Sequence, residues 1–356
     1  MSPPPLRVAV IGAGLIGSRR AQILLESGGA VLAGAADADP ARAELLARKT
    51  GCRHYAGYQE AVSDPAVDVV IVATTNDALA TVTIAALSAG KHVLCEKPPG
   101  RSAPEARAMA EAAAGAGRRL AFGLNHRHTD SMVRAWELLR RGAIGKPLWI
   151  RARYGHGARR GFEQEWRADP VRAGGGELLD QGVHLVDLAR QFLGEVHWGR
   201  ALTATMAWAI APLEDNAFVL LRHESGGVTQ FHVSLNQWKN LFSLELHGTG
   251  GALLLEGLGG SYGPERITCQ RRRHESGPPE EQSETFADPL ASWRREWAAF
   301  LALVRGEKTP GDGVPIASAD DGVALMEIVD ALYRSARDEG AKEACSLGAV
   351  GAREGA

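Results

Sequence analysis

Short apolar runs alternate with helical stretches over the first 125 residues of the chain. Arg7–Ile11 (RVAVI) ends in glycine and reads as a buried strand, and so do Ala30–Ala36, Val67–Ala73, His92–Cys95 and Leu120–Gly123. Between two of them, Asp77–Ala89 carries Leu79, Val82 and Ala86 on one helical face. Alternation of this kind predicts right-handed crossovers and a doubly wound parallel sheet with helices on both sides. After Gly145-Lys146-Pro147 the pattern changes. Leu148–Tyr154, Ala217–Arg222, Val228–Asn236 and Phe242–His247 alternate apolar and polar positions, and glycine turns such as Ser225-Gly226-Gly227 and Gly248–Gly251 separate several of them. That predicts a mostly antiparallel sheet with one exposed face. Two helical stripes follow, Trp293/Trp297/Phe300/Leu301/Val304 and Leu325/Ile328/Val329/Leu332, while the acidic run Gly277–Glu284 reads as a surface loop.

A length of 356 residues suits two domains, here 1–125 and 126–340, with the last helices free to pack back on the first and 341–356 as a frayed tail. Forty basic residues against 42 acidic ones leave a net charge of −2, which argues against a chain built for nucleic acid or anionic membrane. Four scattered cysteines (Cys52, Cys95, Cys269, Cys345) form neither a disulfide framework nor a zinc ribbon and fit a reducing compartment. The start lacks a basic leader segment, and no apolar run approaches the roughly 20 residues of a membrane helix, so a cytoplasmic location is expected.

Candidate chemistry lies in three places. Gly12-Ala-Gly14-Leu15-Ile16-Gly17 follows the first strand and opens a helix, and Asp37 ends the second strand 20 residues beyond Gly17. Strand, G-x-G-x-x-G, helix and a later acid together form the fingerprint of a Rossmann dinucleotide site. Its glycines let backbone approach a pyrophosphate, and the acid accepts from the ribose hydroxyls and repels a 2′-phosphate. NAD is therefore expected in preference to NADP. The second place is Cys95-Glu96-Lys97-Pro98, at the carboxyl end of a strand, where ligands of open α/β sheets bind. Lys97 there either holds a substrate hydroxyl or forms a solvated pair with Glu96. The third is Gly174–Asp187, where Asp180, His184 and Asp187 share a helical face after a glycine run that reads as flexible. A histidine between two carboxylates suits proton transfer, with Asp180 orienting the ring. A structural histidine and a divalent-metal face are the alternatives, and no further ligand pair supports the metal. Asn125-His126-Arg127-His128, after the last strand of the first half, is a polar stretch that is either site or loop surface.

Taken in order, Gly12–Gly17, Ala73–Asn76, Glu96-Lys97-Pro98, Asn125–Arg127 and Gly174–His184 resemble the Gfo/Idh/MocA oxidoreductases, the glucose–fructose oxidoreductase and inositol dehydrogenase relatives, from Arg7 to about Leu332. The resemblance implies a nicotinamide-binding Rossmann domain, a C-terminal α/β domain with an open, mostly antiparallel sheet, and a homodimer or homotetramer. It implies Lys97, Asp180 and His184 as catalytic residues, with His184 carrying the proton. It implies cofactor contacts from Gly12, Gly14, Leu15, Ile16, Gly17, Thr74, Asn76, Glu96, Lys97 and Asn125, beside Asp37. One departure is Leu79, where the family commonly has histidine. Expected substrate contacts are Arg127, Tyr154, His156, Trp166, Arg167 and Trp238, since aromatic planes beside Arg and His suit a polyhydroxylated ring. Loop arginines would equally hold a nucleotide diphosphate. The expected activity is NAD(H)-dependent hydride transfer at a secondary alcohol or ketone of a sugar, nucleotide sugar or cyclitol, with no metal. Alternatives are a glycosidase or epimerase working by transient oxidation, or a sensor without catalysis.

Overall fold

The structure, a computed structural model, describes residues 4–273, 277–309 and 313–338. The first half runs β1 (Leu6–Ile11), α1 (Leu15–Ser27), β2 (Ala30–Ala36), α2 (Pro40–Thr50), β3 (Arg53–His54), α3 (Tyr58–Ser63), β4 (Val69–Val72), α4 (Asn76–Ser88), β5 (His92–Glu96), α5 (Ala103–Ala116) and β6 (Leu120–Gly123). The second half runs α6 (Asp130–Arg140), β7 (Pro147–Gly155), α7 (Pro170–Ala173), α8 (Val183–Leu193), β8 (Val196–Ala204), β9 (Asn216–His223), β10 (Val228–Ser234), β11 (Leu241–Gly248), β12 (Gly251–Glu256), β13 (Glu265–Arg271) and β14 (Glu280–Phe286). The described residues then end with α9 (Ala291–Arg305), β15 (Ala317–Ser318) and α10 (Ala319–Arg337).

The first sheet has the order β15-β6-β5-β4-β1-β2-β3, parallel except for β15. Val69–Val72 are all fully buried, the outcome of a continuous apolar run covered by helices on both faces. Helix α4 turns Leu79, Val82 and Ala86 into that core. Leu79, where the resemblance led one to look for histidine, is a wholly buried packing residue. Helix α9 crosses back over α1, so Trp297 and Phe300 share a cluster with Val8, Val10 and Leu24.

The second sheet has the order β14-β13-β12-β11-β7-β10-β9-β8, antiparallel apart from the β7–β10 pair. Along β9, Ala217, Val219 and Leu221 are buried while Phe218, Leu220 and Arg222 face outward, the alternation of a sheet covered on one side. The acidic run expected as a loop is corrected in part: Glu280–Phe286 pairs with β13 as an edge strand. Its residues Glu280–Thr285 are all exposed, so it carries no apolar face for a sequence pattern to reveal. Cys345 and the expected tail 341–356 lie outside the described residues.

Candidate active site

The glycine loop is shaped by close approach. Gly12 has φ +94°, and a Cβ there would lie 2.3 Å from the Ala73 carbonyl oxygen. A Cβ on Gly17 would lie 1.7 Å from the Gly12 oxygen, while one on Gly14 would meet nothing within 4 Å. Two of the glycines are thus required by the protein's own packing, and the middle one opens on free space. Helix α1 begins at Leu15 with no side-chain cap, so its first N–H groups stay available to an anion. Leu15 is 79% exposed above them. Asp37 accepts from the N–H of Ala13 (2.6 Å) and of Asp39 (2.8 Å), which ties the end of β2 to the loop and leaves further lone pairs for ribose hydroxyls. Uncapped helix, open Gly14 and a carboxylate beside them fit the diphosphate and ribose of a dinucleotide.

Lys97 follows the last residue of β5. Its Nζ donates to the Asp180 main-chain oxygen (2.8 Å) and to the Asp180 carboxylate. Asp180 is held down at about 2; burial opposes this, and the charges of Lys97 and Arg167 outweigh it. Arg167 lies 3.6 Å from the second carboxylate oxygen and stacks over the Trp166 ring at 4.4 Å. Asp180 was expected to orient His184, and that expectation is corrected. Leu178–Gly182 is a π-helical turn preceding α8, so the regular i, i+4 facing is lost and Asp180 turns to Lys97. Asp187 is likewise taken up by Arg127.

His184 is buried and stacks on His126 with ring centroids 3.8 Å apart, and Tyr154 approaches edge-on at 6.2 Å. Burial, then His126 and Lys97, push its pKa well below the usual histidine value. His126 falls to about 3 from burial and Lys97. The His184 Nδ1 is buried without a hydrogen-bond partner, leaving Nε2 as the nitrogen for a ligand. Tyr154 is hydrogen-bonded to Tyr262, and its phenol is pushed well above 10, chiefly by burial.

The run Gly174–Gly176 is packed rather than flexible, and that expectation too is corrected. A Cβ at Gly175 would sit 2.4 Å from the Tyr333 hydroxyl oxygen, and one at Gly176 would sit 2.0 Å from the Glu214 main-chain oxygen. Glu214 accepts from the N–H groups of Gly176 (3.2 Å) and Leu178 (3.0 Å) and from Tyr333 Oη (2.8 Å). This fixes the loop into one wall of a cleft lined by polar Asn76, Arg167, Glu177 and Asp180 and by apolar Phe162, Ile210 and Leu235. Asn76 sits at its edge, donating to the Ala173 oxygen (2.9 Å).

Arg127 and Glu96 go elsewhere. Arg127 is 1% exposed; its Nε donates to Asp187 (2.7 Å) and its Nη1 to Asp321 (3.1 Å). It is corrected from a substrate contact to a core ion pair between α8 and α10. Glu96 was expected to face the crevice, but it accepts from Arg20 Nε at 2.6 Å within the protein, and Arg20 also reaches Glu296 at 2.5 Å. Thr74 donates to the Thr75 oxygen (3.2 Å) and Asn125 to Ser292 Oγ (3.3 Å). The His156 Nδ1 accepts from Ala158 N–H (3.1 Å), and Trp238 is 73% exposed beside Gly157. Glu177, Tyr262 and Glu214 were not singled out in the sequence. Glu177 lies inside the glycine–aspartate motif, where its position next to Asp180 was the available signal. Among the described residues no group of three or more His, Cys, Asp and Glu is placed to hold a metal ion.

Residues 6–124 match the oxidoreductase family with an NAD-binding Rossmann fold, and residues 132–254 match the GFO/IDH/MocA C-terminal domain. The chain is 33% identical to the 1,5-anhydro-D-fructose reductase of Ensifer adhaerens over 74% of this chain and 76% of that protein. It is 27% identical to the D-glucoside 3-dehydrogenase of Escherichia coli K12 over 94% and 97%. Its structure is similar to that of GenD2 from gentamicin A biosynthesis in complex with NAD, with a TM-score of 0.79 and 27% identity over 95% of this chain and 97% of that one.

Proposed function

This chain belongs to the GFO/IDH/MocA oxidoreductase family, and from that premise we propose how its own residues carry the reaction and which substrates they admit. The protein is an NAD(H)-dependent oxidoreductase acting on a secondary alcohol or ketone of a sugar or cyclitol. Bound at the glycine loop, the cofactor supplies hydride chemistry at its nicotinamide ring. The loop N–H groups would hold its diphosphate and Asp37 its adenosine ribose, with Asn76, Thr74 and Asn125 as further contacts. Lys97 holds the reacting oxygen of the substrate and stabilises alkoxide character there, and Asp180 keeps the ammonium aimed. His184 takes the hydroxyl proton at Nε2 in oxidation and returns it in reduction.

The single observation that carries this reading is the meeting of Lys97, from the end of β5, with Asp180, from the turn that leads to the His184 helix. Engagement of Arg159 and Arg167 favours a neutral polyol over a nucleotide sugar. Arg159 is bound by both carboxylate oxygens of Glu165 (2.6 and 2.8 Å), and Arg167 serves Asp180. Apolar Phe162 and Ile210 in the same cleft as polar Asp180 suit a ring with one C–H face and several hydroxyls. His156, Trp166, Trp238 and Tyr154 are assigned as further substrate contacts.

The chain divides into a nucleotide unit, 1–125, and a substrate unit, 126–340. It works as a homo-oligomer paired through the outer face of the second sheet, where Trp198, Leu202, Phe218 and Leu220 stand exposed. A cytoplasmic location is in keeping with free Cys52, Cys95 and Cys269 and with the lack, among the described residues, of any helix long and apolar enough to cross a membrane. The test is a panel of cyclitols, free sugars and nucleotide sugars offered with NAD or NADH, followed by absorbance. Turnover of a neutral sugar or cyclitol is expected. Net turnover confined to nucleotide sugars would overturn the substrate reading, and bond cleavage or epimerisation without net NADH would replace it with transient oxidation.

A further inference from the structure

We propose that Glu177 is a specificity-determining residue of the cleft, reading a hydroxyl of the bound ring beside the one that Lys97 and His184 act upon. The proposal rests on the sugar or cyclitol reading given above.

Glu177 is 2% exposed and lines the cleft together with Asp180, yet its Oε2 has no hydrogen-bond partner. Among the described residues no Lys, Arg or His lies within ion-pair distance of it. A buried carboxyl oxygen with nothing to bond is costly unless a ligand completes it. Its setting also decides its form. Asp180 and Glu214 oppose its ionisation, Lys97 and Arg167 favour it, and Tyr154 and Tyr262 lie close enough to feel its charge. Burial dominates and holds the pKa well above the usual carboxylate value. Next to Asp180, which keeps its charge through Lys97, the protonated form of Glu177 is favoured. The neighbouring acids thus divide their roles: Asp180 aims a cation, and Glu177 offers both a donor and an acceptor. A polyol hydroxyl is both as well, so one ring hydroxyl completes Glu177 in either sense. A C–H in the same place leaves the carboxyl unpaired, which is the basis for rejecting deoxy analogues.

The experiment compares wild type, Glu177→Gln and Glu177→Ala with a sugar or cyclitol that the panel shows to be turned over, with NADH binding by fluorescence as the check on folding. Glu177→Ala should raise KM about 10-fold, the worth of a lost neutral hydrogen bond with its partner left unmet, and leave kcat within about 3-fold. Glu177→Gln keeps a donor and an acceptor and should stay within about 3-fold of wild type in both. As pH rises through the Glu177 titration, the wild-type KM should climb while that of Glu177→Gln stays flat. A protonated-carboxyl infrared band present at neutral pH should vanish in Glu177→Gln. If Glu177→Ala fails to bind NADH, the flat profile of Glu177→Gln decides. Unchanged KM in a folded Glu177→Ala, the same climb in Glu177→Gln, or no such band would overturn the role of Glu177 alone. An absence of turnover across the whole panel with NADH still bound would overturn the functional reading and this inference with it.

Discussion

Lys97 and Asp180 form the joint between the nucleotide-binding sheet and the π-helical turn, the lysine donating to both the carboxylate and the main-chain oxygen of the same aspartate. Two such bonds fix the ammonium more tightly than one ion pair would, and they make the two side chains one working unit. Lys97→Ala should lose about 10²–10⁴-fold in turnover, and Asp180→Ala nearly as much. The double variant should lose little more than Lys97→Ala. Steady-state kinetics of the three variants measure this coupling, and strictly multiplicative losses would refute it.

His184→Ala should lose roughly 10²–10⁴-fold in kcat with NADH affinity little changed. Its pH behaviour follows from burial, which holds the ring neutral well below the usual value. Neutral imidazole is the form that accepts a proton, so oxidation should show no His184 limb at neutral pH. Reduction needs the protonated ring, a form that becomes scarcer as pH rises, so reduction should slow toward alkaline pH. A neutral-pH limb in oxidation that disappears with His184 would contradict this assignment.

Asp37→Ser should weaken NADH binding and improve NADPH relative to it, because the carboxylate that would repel a 2′-phosphate is gone. The serine also forfeits one of the two bonds to Ala13 and Asp39, so some loss of NADH affinity should persist at any salt concentration. Fluorescence titration with both cofactors is the measurement. Wild-type protein binding NADPH as well as NADH would count against the role of Asp37.

Arg127→Met should leave Asp187 buried without its cation and destabilise the fold by about 3–5 kcal/mol, the usual cost of breaking a buried pair. Denaturant unfolding measures it. The folded fraction should retain its KM, since the guanidinium faces α10 rather than the cleft. A raised KM at full stability would restore Arg127 to the substrate site.

Leu220→Arg should shift the protein from an oligomer to a monomer of 37.8 kDa in light scattering, because Leu220 stands between Arg200 on β8 and Gln230 on β10 on the outer sheet face. Wild type already monomeric at micromolar concentration would remove the oligomer.

Much of this was legible from residue patterns because its causes are local. Buried parallel strands read as apolar runs, and Ala30–Ala36 and Leu120–Gly123 keep those bounds in the structure. The glycine loop was legible from its flanking strand and helix. The environment of Arg127 was not, since its burial depends on Asp187 and Asp321, which are remote in the chain. Nor could the partner of Asp180 be read, because helical spacing presumes α-geometry and a π-turn breaks it. Strand β14 stayed hidden for the opposite reason: an exposed edge has no apolar face to display.

The short strand β15 has a consequence for how the molecule is made. Ala317 and Ser318 pair with Phe122 and Ala121, and Trp297 and Phe300 cover Val8 and Val10. While the ribosome is still translating the second half, the nascent nucleotide unit therefore has an unpaired edge at β6 and an uncovered face along α1. Its last layer arrives with α9 and β15, near the end of the described residues. Both surfaces close only once α9 and β15 have emerged.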